Sequence, residues 1–183
     1  MLRAIGVSLT MISLALTTAP RERRDPPAVS QPRIRSAGGA AILPQAAFQP
    51  RKGAKIVFDI SLAGKPEEIN KGLERLARLL NLYAGHGMSP ADLDVVAVLH
   101  GQSAAAGVVD ETYAKMTGTE KNPNLPVLQE LNAAGVKLFF CGQTLAQKKI
   151  SPDDLAPELK VATSAMLVVV QAQADGYSVI TLP

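Results

Sequence analysis

Two apolar runs that do not alternate with polar residues constrain this chain more than any other feature. They are Asp94-Val95-Val96-Ala97-Val98-Leu99-His100 and Lys137-Leu138-Phe139-Phe140-Cys141. Each is too short to be a buried helix and too continuously apolar to be a half-solvated strand, so each reads as a strand covered on both faces, as in a parallel sheet packed between helices. Both runs end in a small polar turn, His100-Gly101-Gln102-Ser103 in the first and Cys141-Gly142-Gln143-Thr144 in the second.

The remaining elements follow from period and punctuation. Lys55 to Ile60 is short, β-branched and bounded by glycines, which fits a first buried strand. Pro66, with Glu67 and Glu68 after it, is expected to open a helix. In that helix Ile69, Leu73, Leu76, Ala77, Leu80, Tyr83 and Ala84 share one face, and Lys71, Glu74, Arg75, Arg78 and Asn81 fall on the opposite, solvent face. Val108 to Met116 and Pro126 to Ala134 give two more helices, closed by Gly118 and Gly135. Ser151 heads a short capped turn. Val161-Ala162 reads as a short strand and Tyr177 to Leu182 as a last one. Between them, the valine run favours a strand, but the eleven residues from Ser164 to Ala174 favour a helix, and a helix is expected. Strands alternating with helices give an α/β fold, a three-layer α/β/α sandwich around a five-stranded parallel sheet.

Charge divides the chain. Of the 183 residues, 47% are hydrophobic and 19% charged, enough for one domain with a core and an extension. The net charge of +3 is misleading, because eight of the nineteen basic residues lie in the first 54 positions, with only Glu22 and Asp25 opposing them. The part after residue 54 is mildly acidic and has no basic stripe with interleaved aromatics, which argues against nucleic-acid binding. Met1-Leu2-Arg3 followed by the uncharged run Ala4 to Ala19 suits a signal peptide or an N-terminal anchor, and would make the protein periplasmic or otherwise exported. Any membrane contact is expected only through that uncleaved N-terminus. Residues 20–54, with six prolines and no period, read as a disordered Pro/Arg-rich tether ahead of a domain at 55–183.

The chemistry converges on one edge. Cys141 is the only cysteine, and it falls at a strand end where a helix amino terminus follows. There, unsatisfied N–H groups favour a thiolate, by roughly 0.3–1 kcal/mol in ordinary cases. It is also a small hydrophobe of a kind often buried for packing alone, and the residues leave both readings open. His100 ends the neighbouring run and either meets Cys141, lowering its pKa further, or bonds a loop carbonyl. Asp59, near the end of the first strand, either joins a polar cluster on this edge or caps the turn at Ser61 to Gly64. Gly101, Gly142, Gln143 and Thr144 complete the candidate ligand-binding set, Gly142 by letting backbone approach a ligand closely. No metal-ligand spacing, phosphate loop, dinucleotide fingerprint, nucleophile elbow or C-x-x-C is present, so no cofactor or metal is expected.

From residue 55 to 183 the chain resembles the DsrE/DsrF-like family, and most closely its exported branch. The resemblance rests on the strand Lys55 to Ser61, the segment Val95 to Gly101, the segment Val136 to Thr144, and the hydrophobic helix with its Gly-Tyr strand at the end. It implies a parallel-sheet sandwich, homo-oligomers, and a cysteine that accepts and passes on sulfur as a persulfide, for which Cys141 stands in the matching place. A sulfur donor or acceptor protein, or a small thiol, would be the partner. The alternative is a non-catalytic small-ligand-binding or oligomeric module in which Cys141 is only packed.

Overall fold

A computed structural model describes residues 25–182 of the chain. The expected leader at residues 1–19 lies outside the described residues. The elements are β1 (Val29–Ser30), β2 (Ala40–Ala41), β3 (Ala54–Ile60), α1 (Lys71–Gly85), β4 (Leu93–Leu99), α2 (Asp110–Thr117), α3 (Leu125–Ala133), β5 (Lys137–Cys141), α4 (Gly142–Lys148), β6 (Lys160–Ala162), α5 (Ala165–Ala174) and β7 (Ser178–Leu182). Five strands form one parallel sheet in the order β6-β5-β4-β3-β7. Helices cover both faces, so the fold is the expected α/β sandwich.

Strand alternation assigns each face its own core. Ile56, Phe58, Ile60, Val95, Ala97, Leu99, Leu138 and Phe140 point to one side, where Leu73, Leu76 and Leu80 of α1 and Val127, Leu128 and Leu131 of α3 meet them. Val57, Val96, Val98, Phe139 and Cys141 point to the other side, which α5 covers. The second core is the thinner one. Its single helix leaves Met166 77% and Val170 60% exposed.

Two expectations are corrected on α1. The helix starts at Lys71, not at Pro66, because the Asn70 side chain accepts the Gly72 N–H at 2.8 Å and so caps it. Residues 66–68 are a turn before the cap. Asn81, expected on the solvent face, is fully buried. What buries it is the stretch at residues 33–40, expected to be part of a disordered tether and instead packed along α1. Ile34 is 0% exposed and lies in the main core together with Ala37. Residues 33–39 show no period in sequence because their order comes from bonds to side chains of α1 and α3 rather than from a helix or a sheet.

Asn81 is the clasp. Its Oδ1 accepts the N–H of Arg33 and Ile34 at 2.9 and 2.8 Å, and its Nδ2 lies 3.0–3.1 Å from the carbonyls of Ile34, Ala37 and Gly38. Glu130 of α3 accepts the N–H of Arg35 at 2.6 Å, and Arg78 donates to the Gly39 carbonyl at 2.9 Å. Gly38 has φ +70°, and a Cβ there would overlap the α1 backbone at Ala77 and Arg78. Only glycine lets the strap lie this close.

Burying Ile34 contributes roughly 1.5–3 kcal/mol, and each buried backbone group orphaned by loss of the amide costs about 1–3 kcal/mol. We therefore expect Asn81→Ala to destabilise the protein by about 3 kcal/mol, a fall in Tm of about 6–12 °C for a domain of this size. Deleting residues 1–40 should give a loss at least as large, and adding Asn81→Ala to that deletion should cost little more. A deletion that leaves the Tm unchanged, measured by thermal unfolding, would return residues 33–40 to the status of a tether.

Candidate functional site

Register brings three side chains to one place. Ile60 pairs with Leu99 and Leu99 with Phe140, so the carboxyl ends of β3, β4 and β5 lie level. Asp59 shares the parity of Val57, His100 that of Val98, and Cys141 that of Phe139. All three therefore face the α5 side of the sheet, at the edge where its strands end. They line one cavity of about 410 Å³ with Gly101, Gln143 and Thr144. Its opposite wall is the start of α5, including Ala165, Met166, Val169 and Val170.

The exit turn of β4 is pinned to β3. His100 donates its N–H to the Ile60 carbonyl at 3.0 Å, the Gln102 and Ser103 amides reach the Ser61 carbonyl at 3.0 Å, and the Ser103 hydroxyl donates to the Ile60 carbonyl at 2.7 Å. With its backbone fixed, His100 places Nε2 2.7 Å from Asp59 Oδ1. Of the two readings of Asp59, the polar cluster is the one the structure displays. The imidazole of His100 is thus engaged across β3 by a carboxylate, which is a stronger partner than the thiol on the β5 side. About a quarter of each side chain remains open to solvent, 28% for His100 and 24% for Asp59.

Cys141 is 5% exposed and packs with Val98 and Ala165. Burial pushes its thiol up, but hydrogen bonds to the sulfur outweigh burial and leave the pKa below its ordinary value. The donors are the Ala165 amide, which is bonded to the sulfur, and the nearby amides of Thr144 and Gln143 and the Thr144 hydroxyl at the start of α4. The Ala165 N–H donates to Cys141 Sγ at 3.3 Å. Two helix starts therefore converge on one sulfur: α4, which follows it in sequence, and α5, which crosses from β6.

Thr144 joins this set to the β4 turn. It is 4% exposed, and its Oγ1 accepts the Gly101 N–H at 3.0 Å. The same hydroxyl is among the nearby donors that lower the Cys141 pKa. Gly101 acts here through its backbone. Gln143 donates Nε2 to the Thr163 carbonyl at 3.0 Å, which ties α4 to the loop before α5.

Gly142 is expected to let a ligand approach closely, and the close neighbour in the structure is the chain itself. A Cβ there would stand 2.9 Å from the Ala162 carbonyl oxygen and 3.3 Å from that of Thr163, so its bareness lets β6 and the following loop close against α4.

The contribution of α5 was absent from the sequence reading of the site. Its signal was Ser164, whose side chain accepts the Leu167 N–H at 3.1 Å and so fixes where the helix starts. With β6 paired beside β5 and Cys141 level with Ala162, a helix starting at Ala165 begins next to the sulfur.

Comparisons agree with this architecture. Among solved structures, the chain is similar to a protein of unknown function, MTH1491 from Methanobacterium thermoautotrophicum, with 20% identity over 70% of this chain and 99% of that one and a TM-score of 0.53. It is also similar to the ychN protein from E. coli, with 19% identity over 70% of this chain and 99% of that one and a TM-score of 0.49. A comparison with curated proteins gives no match. The model of the DsrE/DsrF-like family matches residues 55–182, from the first residues of β3 to the end of β7, and the chain belongs to that family.

Proposed function

We propose that this protein carries sulfane sulfur as a persulfide on Cys141, within a domain of the sulfur-relay type that its family suggests. The observation that carries the reading is a cavity-lining sulfur that accepts the Ala165 N–H at 3.3 Å, at the start of α5, with Gln143 and Thr144 of α4 beside it as further donors that lower its pKa. Such donors favour a thiolate, the form that attacks sulfane sulfur, and they equally favour the persulfide anion that results. The thiolate forms a bond to the outer sulfur of a donor while the donor's S–S bond breaks and its electron pair leaves on the donor thiolate. The Asp59–His100 pair forms the polar side of the cavity. We place this activity outside the cytoplasm, on the apolar run Ala4 to Ala19 behind Arg3.

A second reading rests on the burial of Cys141 at 5% exposure among Val98 and Ala165, as expected of a packed thiol in a binding module. Alkylation separates the two. With iodoacetamide, the rate against pH for a carrier should reach half its plateau below the ordinary cysteine value of about 8.5. Thr144→Val should move that midpoint upward by removing a donor, Thr144→Ser should restore it, and His100→Ala should move it less than Thr144→Val. Mass spectrometry after exposure to sulfane-sulfur donors should show one added sulfur on the wild type and none on Cys141→Ser. An alkylation midpoint at the ordinary value together with no sulfur uptake would leave the packed thiol.

The same helix supports self-association. Leu167 and Val161 are 47% and 49% exposed and lie on the side of α5 away from the cavity that holds Cys141. We infer that this side meets another copy of the chain. Light scattering at micromolar concentration should give a mass above one chain for the wild type and one chain for Leu167→Glu. A wild-type mass of one chain would remove the inference.

A further inference from the structure

The donor that the Cys141 cavity accepts can be read from what lines it. Among the described residues that do so, the only ionisable side chains besides Cys141 are Asp59 and His100, and these stand 2.7 Å apart, each engaged by the other. Lysine and arginine are absent from that lining. The facing wall belongs to α5, whose ten residues Ala165–Ala174 carry no charge, and it presents Ala165, Met166, Val169 and Val170. Cys141 lines this space and is 5% exposed.

An inorganic polysulfide dianion entering here would surrender hydration with no cation to receive it, and would approach the Asp59 carboxylate. An uncharged donor with an apolar tail meets neither penalty and gains by covering the α5 wall. The volume of about 410 Å³ is that of a small-molecule pocket. We propose that the sulfur donor is a small alkyl or aryl hydropersulfide, R–S–S–H, taken up in its uncharged form with R against Met166, Val169 and Val170. This rests on the persulfide reading of Cys141.

The step balances without an external oxidant. The Cys141 thiolate attacks the outer sulfur of R–S–S–H, and a bond forms between Sγ and that sulfur, which keeps its hydrogen. The donor's S–S bond breaks, and its electron pair leaves as R–S⁻, which takes a proton from solvent at the cavity mouth. Cys141 gains the sulfane sulfur and becomes a persulfide, and the donor is reduced to a thiol.

The test measures initial rates of sulfur addition to Cys141 by mass spectrometry at equal sulfane sulfur. The donors are butyl hydropersulfide, glutathione hydropersulfide and sodium polysulfide, each rate divided by that of free N-acetylcysteine with the same donor. Butyl hydropersulfide should exceed sodium polysulfide by about tenfold or more, the scale on which an apolar pocket discriminates. Glutathione hydropersulfide should fall with the polysulfide. Val170→Lys and Met166→Lys, both at exposed positions on the α5 wall, should each shift the ratio toward polysulfide by about tenfold through local attraction. Unchanged circular dichroism and Tm will show that both variants keep the fold. Equal rates, or a preference for polysulfide in the wild type, would overturn the inference while leaving the persulfide reading in place. No sulfur uptake from any donor would overturn both.

Discussion

The hydrogen-bonded register of β3, β4 and β5 is the constraint on which the rest of this structure depends. Because Ile60, Leu99 and Phe140 stand level, His100 and Cys141 follow side by side on the α5 side, and Asp59 lies one pleat back on the same side of β3. A shift of one residue in any pairing would turn Asp59, His100 or Cys141 to the opposite face, among the leucines of α1 and α3. The two cores enforce the register, since the same shift would also expose Phe58 or Phe140 on the wrong side. Packing and chemistry are thus fixed by one pattern of backbone bonds.

The electrostatics at Cys141 are a contest between two effects of burial. Withdrawal from water raises a thiol pKa, yet the same enclosure aligns amides whose hydrogens have no other partner. At this sulfur the amides and the Thr144 hydroxyl prevail. A helix that began one residue later than Ala165 would withdraw the N–H that reaches the sulfur at 3.3 Å. The cap at Ser164 is therefore part of the chemistry of a residue 23 positions before it.

Much of the fold was legible because its signals are local. The continuous runs at Val95 and Leu138 gave buried parallel strands, and Gly118, Gly135 and Gly176 marked where helices or their turns end. Even the valine-rich stretch at Ala165–Ala174 was resolved by its length. What failed was non-local. Asn81 looked solvated because nothing in α1 itself says that residues 33–40 will cover that face, and those residues looked disordered because their partner is a side chain more than forty positions away. At the site, Cys141, His100, Asp59 and Thr144 were visible as strand-end and turn residues, whereas the Ala165 amide is signalled only indirectly, by the cap residue Ser164 far along the chain from the sulfur. Gly142 was visible as a bare position, but not that the backbone of Ala162 would close against it.

The absence of charge along α5 has a thermodynamic consequence for any surface that rests on it. Contacts made through Met166, Leu167 and Val170 would draw on dehydration alone, so added salt would not screen them. They would loosen on cooling and tighten on modest warming, because apolar dehydration near room temperature is driven by entropy. With no field to guide encounter, such contacts would also form at the unassisted pace of diffusing surfaces that must find the right orientation by chance.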